Sequence, residues 1–267
     1  MQPRDRTPGQ VLIGTSGYSY KDWVGPVYPP DLPSDRWLDH YAEQFPFVEL
    51  NFSYYRMPTI QQMQRYAAVP LQVAIKAHQS LTHQREQAED QAESMLAALD
   101  VLSRDDRLAT CLFQFPYSFH YTPDNRRYLD WLLRAFQEFP GIVEFRNPEW
   151  MRASVIASLR DREVGLAATD APAVRGAMPP HATVTGQQGY VRFHGRNAEN
   201  WYTGDNVSRY DYSYSEAELR EWLPRIEEMA VQARTIYFAF NNHARGQAVD
   251  NAHMLKSILK DMGVQVK

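Results

Sequence analysis

Tyr190-Val191-Arg192-Phe193-His194-Gly195-Arg196-Asn197 is the stretch that decides the fold. Val191 and Phe193 alternate with Arg192 and His194, so a strand here sends two apolar side chains to one face and a cation and an imidazole to the other. A buried arginine is costly unless paired. The polar face therefore predicts either a polar pocket or an ion-pair network.

Outward from this stretch the chain alternates short apolar runs with amphipathic ones. Strands are expected at residues 11–13, 47–51, 71–76, 109–115, 142–145, 165–170, in the opening stretch itself, and at 235–240. Helices are expected near 37–45, over 59–68 with Thr59 as N-cap, and around 88–102, where Ala88, Ala92, Met95, Leu99 and Leu102 keep three-to-four spacing. Others follow near 128–136, 154–162 and 219–229, and a last one ends at Gly263, a natural helix stop. Residues 171–189 are rich in Pro and Gly, so the helix after strand six is reduced or missing. Eight strands alternating with about seven helices point to a parallel α/β sheet. Number and length favour closure into a TIM-type (β/α)8 barrel over an open doubly wound sheet.

Composition sets bounds. The 267 residues are 44% hydrophobic and 13% aromatic, enough for a large core. A net charge of −4 argues against bulk coating of duplex DNA but permits a local basic cleft. The single cysteine, Cys111, reads as a core residue; it excludes intrachain disulfides and cysteine-cluster zinc sites. No apolar run approaches the roughly 20 residues that span a bilayer, so no membrane partner is expected. Residues 1–9 read as a flexible polar tail without the apolar segment of a secretory signal. A cytoplasmic protein with one domain over 10–267 is the expectation.

In TIM barrels chemistry sits where strands end, and here polarity concentrates at the strand ends. Glu49 and Asn51 share a face, as do Lys76 and His78; Gln114 ends strand four; Glu144 and Arg146 share a face, roughly 7 Å apart by strand rise. Asp170 ends strand six, and Asn241, Asn242 and His243 follow strand eight. Taken singly, each charge could belong to a structural network. Buried ion pairs seldom stabilise enough to justify so many together, which favours a pocket.

That pocket is expected to take a small anionic, ring-containing substrate, a phosphorylated sugar or a nucleotide-like compound. Binding is assigned to Ser16, Tyr18, Trp23, Asn51, Lys76, Gln114, Arg146, Arg192, Arg196, Asn241 and Asn242. Gly195-Arg196 and Asn241-Asn242 occupy the places where barrels commonly hold phosphate. Tyr18, Trp23, Tyr54, Trp150, Trp201 and Tyr202 are candidates for stacking, with loop packing as the plain alternative. Acid-base catalysis falls to Glu49, Glu144 or Asp170 with His194, which can titrate near neutrality along with His243. No P-loop, dinucleotide fingerprint, HExxH or nucleophile elbow is present. No cofactor is expected, and a divalent metal is disfavoured because the arginines and lysine already supply positive charge.

Several of these motifs together carry a resemblance: Ile13-Gly14-Thr15-Ser16-Gly17-Tyr18-Ser19-Tyr20 with Asp22-Trp23 and Tyr28-Pro29, Val48-Glu49-Leu50-Asn51, Leu112-Phe113-Gln114-Phe115-Pro116, Glu144-Phe145-Arg146-Asn147-Pro148-Glu149-Trp150, Arg192-Phe193-His194-Gly195-Arg196 and Phe240-Asn241-Asn242-His243. From about Val11 to Leu259 the chain resembles the YecE-like family, a widespread domain of unknown function. Phe52-Ser53 and Asn147 depart from its pattern, where a Ser-Thr pair and a histidine are usual. The resemblance implies a TIM-type barrel and no particular reaction. The coincidence of acids, cations and aromatics at the strand ends favours an enzyme, a hydrolase, lyase or isomerase; a nucleic-acid binding or repair module and a non-catalytic metabolite sensor are the alternatives.

Overall fold

The computed structural model describes residues 9–205 and 207–267. Among these, nine strands form one sheet: β1 (Gln10–Ser16), β2 (Phe47–Leu50), β3 (Gln72–Lys76), β4 (Leu108–Phe115), β5 (Gly141–Phe145), β6 (Gly165–Leu166), β7 (Ala168–Asp170), β8 (Gln188–Phe193) and β9 (Thr235–Phe240). All neighbours are parallel, in the order β6-β5-β4-β3-β2-β1-β9-β8-β7. The two end strands are one stretch of chain interrupted at Ala167. β6 pairs with β5 and β7 with β8, so residues 165–170 bridge the gap and bring the sheet round into a nearly closed barrel. The expected sixth strand is thus two short ones, each serving a different neighbour.

Alternation decides what lies inside. Leu12, Phe47, Ala74, Leu112, Ile142, Ala167, Tyr190 and Tyr237 form one buried cluster inside the barrel, while Val48, Val143, Val191 and Phe193 belong to the larger core between strands and helices. Period two then carries Glu49, Lys76, Gln114, Glu144 and Arg192 inward, one step further along their strands. The barrel is apolar at the strand starts and charged at the strand ends.

The helices follow the sequence with two differences. Ile60–Ala67 is opened by a capping box, Thr59 with Gln62. Ala88–Arg104 buries Ala92, Met95, Leu99 and Leu102. The helix expected over 219–229 is instead a pair, Glu216–Arg220 and Leu223–Ala230. Pro224 lacks a donor and its ring would clash with the Arg220 carbonyl in a continuous helix, so the chain restarts there. A short helix, Phe52–Tyr55, also follows β2 directly, one that the sequence pattern does not predict. Residues 171–187 carry no helix. Of the expected tail, residues 1–8 lie outside the described residues, and Gly9 is buried: a Cβ there would meet Ala233 O at 2.5 Å.

Candidate functional site

The floor of the barrel mouth is an ion-pair network built from three strand ends. Arg192 Nε and Nη2 donate to Glu49 at 2.9 and 2.6 Å, and Nη1 donates to Glu144 at 2.7 Å. The Tyr190 hydroxyl adds a third donor to Glu49 at 2.8 Å. Glu49 and Glu144 have no exposed surface and Arg192 keeps 2%. Burial opposes the charge on Glu144, and the guanidiniums of Arg146 and Arg192 outweigh it, so its carboxyl is held well below the usual carboxylate range.

Arg146 rises from this floor toward solvent. Its Nε lies 2.6 Å from Glu144 Oε1 without the alignment of a hydrogen bond. Its Nη2 reaches His194 Nε2 at 3.0 Å. The same Nε2 lies 3.5 Å from Glu144 Oε1, so this ring nitrogen sits between a guanidinium and a carboxylate. On the other side of the ring, Asn241 Nδ2 lies 3.0 Å from Nδ1, while Asn241 Oδ1 accepts from Asn51 Nδ2 at 3.5 Å. Burial, then the Arg146 charge, lowers the His194 pKa to about 3. At neutral pH the imidazole is therefore a neutral prop for Arg146 and Asn241, which corrects the expectation that it titrates near neutrality.

Lys76 is the cation left over. Two carboxylates face two guanidiniums, and the Lys76 ammonium adds one positive charge to a balanced set. Its Nζ stands 4.3 Å from the centre of the Tyr54 ring, with no carboxylate within ion-pair distance among the described residues. Burial, then the Arg192 charge, lowers its pKa to about 7. The end of β3 is pinned beside it, where the Ser53 hydroxyl is shared between the Leu50 and Lys76 carbonyls at 2.9 and 2.7 Å.

Above the floor opens a cleft of about 780 Å³, lined by Tyr18, Tyr20, Asn51, Tyr54, Tyr66, Lys76, Arg146, Tyr210, Asn241 and His243 among others. A second lobe of about 320 Å³ shares Tyr54, Tyr55, Lys76, Arg146 and Tyr210 with it and adds Gln114 and Trp201. Lys76 and Arg146 thus sit on the border of both. Tyr20 stacks on His243 with ring centres 4.4 Å apart and 1° between planes, while its hydroxyl holds the Ser16 carbonyl at 2.6 Å. Ser16 Oγ and Asn51 Oδ1 are buried polar atoms without a hydrogen-bond partner, unusual enough to mark this end of the barrel.

Not every expected residue comes here. Asp170 points outward, away from Glu49 and Glu144: it accepts from Arg196 at 2.9 and 2.8 Å, from Tyr214 at 2.7 Å and from Trp222 Nε1 at 2.7 Å. Arg196 follows it and pairs further with Glu221 at 2.9 Å. Asn242 turns outward to Tyr212 O and Asn251. These three form a cluster between barrel and helices, so the expected phosphate loop at Gly195-Arg196 does not face the cleft. Trp23 is fully buried on the His243 carbonyl, at 2.7 Å. Trp150 stacks between Phe119 and Phe145. Of the aromatic candidates, Tyr18 and Tyr54 line the larger lobe, and Trp201 and Tyr202 the smaller. Of the two family departures, Asn147 caps a turn away from the cleft.

Tyr20, Tyr66 and Tyr210 were not among the expected site residues. Tyr20 stands two residues from Tyr18, a signal that was available. Tyr66 arrives from the buried face of Ile60–Ala67 and Tyr210 from the irregular segment after β8, and neither has a local cue. Among the described residues no group of three or more His, Cys, Asp or Glu is placed to hold a metal ion, and no helix is long and apolar enough to cross a membrane.

The family model described as "Protein of unknown function DUF72" matches residues 12–266. A curated relative, "UPF0759 protein YunF" of Bacillus subtilis, is 28% identical over 93% of this chain and 94% of its own length. The crystal structure of a DUF72 family protein from Thermotoga maritima superposes with a TM-score of 0.85 at 33% identity, covering 94% of this chain and 99% of that one. One from Enterococcus faecalis gives 0.83 at 22% identity, over 94% and 95%; at that identity the likeness speaks for the fold alone.

Proposed function

The chain belongs to the DUF72 family, whose fold dictates no single reaction, and from the geometry of the cleft we propose that it is an enzyme performing acid-base chemistry on a small anionic, ring-containing compound, a phosphorylated sugar or a nucleotide-like molecule. One observation carries this: Lys76 and Arg146 border the same tyrosine-walled cleft, where Arg192 and Arg146 balance the two buried carboxylates and Lys76 adds one further positive charge. The anchor for the anion is Arg146, aimed by His194 and Glu144. The proton-transfer group is Lys76, since its pKa of about 7 leaves both forms present at neutral pH. Glu49, Glu144 and His194 then act by holding the two cations in place. The positive charge needed for an anion comes from side chains, and no metal is assigned.

Calorimetric titration with glucose phosphate and adenosine monophosphate, each beside its unphosphorylated parent, tests the assignment. The phosphorylated compounds should bind tighter, and Arg146→Gln should weaken them about tenfold or more, the worth of a charge-assisted contact of ~1.5–3 kcal/mol. Equal binding of both parents and phosphates, or an indifferent Arg146→Gln, would sink it. A single-stranded oligonucleotide whose binding fell steeply with salt would move the cleft to nucleic acid, and tight binding with no turnover would make the protein a sensor.

A further inference from the structure

Resting on that reading of the cleft, we propose that Lys76 is an imine-forming amine and that the anionic substrate carries an aldehyde or ketone. The geometry points to covalent chemistry in three ways. Lys76 ends β3 on the inner face of the barrel, and its Nζ borders both lobes of the cleft, so a carbonyl held in either can approach it. It lacks the carboxylate partner that would fix a lysine as a plain counter-charge, since Glu49 and Glu144 are taken by Arg192 and Arg146. The contact its Nζ makes is with the face of the Tyr54 ring, 4.3 Å from the ring centre, which tolerates a cation without accepting its protons.

Composition adds an independent sign. The chain uses arginine for nearly all its positive charge; beside Lys76 its lysines are Lys21, Lys256, Lys260 and Lys267. Lys21, Lys260 and Lys267 are exposed and Lys256 half-buried on the last helix. Arginine cannot form an imine, because it stays protonated and its nitrogens are delocalised. A half-buried lysine beside other cations is the setting in which an amine becomes nucleophilic at neutral pH. Arg192 and Arg146 provide those cations.

The step balances within the pair of reactants. The unprotonated Lys76 amine attacks the carbonyl carbon; a C–N bond forms and the C=O π pair moves to oxygen. The two hydrogens of the amine end on that oxygen, which leaves as water while the nitrogen lone pair makes C=N. Starting from the ammonium, the third hydrogen stays on nitrogen and gives the protonated imine, an electron sink for removing a proton or breaking a bond beside the former carbonyl. Arg146 holds the anionic group meanwhile, and burial with the Arg192 charge keeps part of the neighbouring amine unprotonated at neutral pH. A lyase or isomerase fits this chemistry better than a hydrolase.

The test uses the full chain and two probes that differ only at the reactive carbon. Pyridoxal phosphate carries an anion, a planar ring and an aldehyde; pyridoxine phosphate has an alcohol instead. Borohydride is added to the pyridoxal phosphate mixture, and the labelled lysine is located by peptide mass mapping. The expected result is one pyridoxyl phosphate group per chain, on Lys76, with a labelling rate that climbs as pH rises through about 7. Pyridoxine phosphate should protect, and Lys76→Arg should abolish labelling while the variant still binds pyridoxine phosphate. If pyridoxine phosphate binds but label is spread over Lys21, Lys256, Lys260 and Lys267 and spares Lys76, imine formation is wrong and the anion site stands. If neither probe binds, the anion site falls and the imine falls with it.

Discussion

The barrel mouth and the cluster behind β7 are made from the same materials and do different things. Behind β7, one carboxylate, Asp170, is surrounded by Arg196, Tyr214 and Trp222, and helices close over it. At the mouth, two carboxylates are met by Arg192 and Arg146, and Lys76 is left facing a cleft. The first is a lock: both carboxylate oxygens of Asp170 accept from Arg196 and a buried aromatic donor, and the pieces belong to β7 and the segment 196–222. The second has one cation too many for its carboxylates. An excess charge beside an open space is what distinguishes a binding site from a structural ion pair.

The largest effects should come from breaking each cluster at its most buried member. Asp170→Ala strands the buried Tyr214 and Trp222 donors and leaves Arg196 only Glu221, and Arg192→Met strands Glu49 and leaves Glu144 only Arg146; each should cost ~3–5 kcal/mol in urea unfolding. Equal costs would show that the mouth's floor is as structural as the lock. A cost below ~1 kcal/mol for Arg192→Met would mean that water already reaches Glu49 and Glu144, contrary to their burial.

Next in size is Gly195→Ala. Gly195 has φ 88°, and a Cβ there would lie 2.7 Å from Tyr212 Cβ. The left-handed backbone lets the chain leave β8 and turn Arg196 outward to Asp170. Strain should cost ~1–3 kcal/mol, measured as a lower urea midpoint, while binding in the cleft stays as in wild type. A loss of anion binding larger than the loss of stability would join the two regions into one site.

The same comparison shows how far the sequence could be read. Alternation in Tyr190-Val191-Arg192-Phe193 and in Phe47-Val48-Glu49 was enough to place Arg192 and Glu49 inside a barrel, because a one-residue error would bury their apolar neighbours in the wrong layer. It was enough for Lys76, Glu144 and Arg146 too. The outward residues were misjudged where alternation stops. Asn241 and Asn242 are adjacent, so only one can face the cleft, and nothing local says which. Asp170 follows an interruption at Ala167 that no composition signal marks. Arg196 lies beyond a glycine whose positive φ reverses the chain's direction. Roles were harder than places: that His194 is neutral and Lys76 titratable depends on neighbours from four strands, which only the folded barrel brings together.

The smallest effect is the one that separates the regions by sign. Burial lowers the Lys76 pKa to about 7 in the folded chain, against ~10.4 in an unfolded one. Between those two values the unfolded state binds more protons, so wild-type stability rises with pH across that window; below about 7 the ammonium is carried into the barrel at full cost. Lys76→Met removes the titration and keeps the stem's packing. Relative to wild type, the variant should therefore be at its most stable below pH 7 and should lose ground steadily as pH climbs toward 10. Urea midpoints of both proteins across that range decide it. A difference between the two that stays constant across that range would mean that Lys76 is a structural counter-charge like Arg196, and the mouth would then be a second lock.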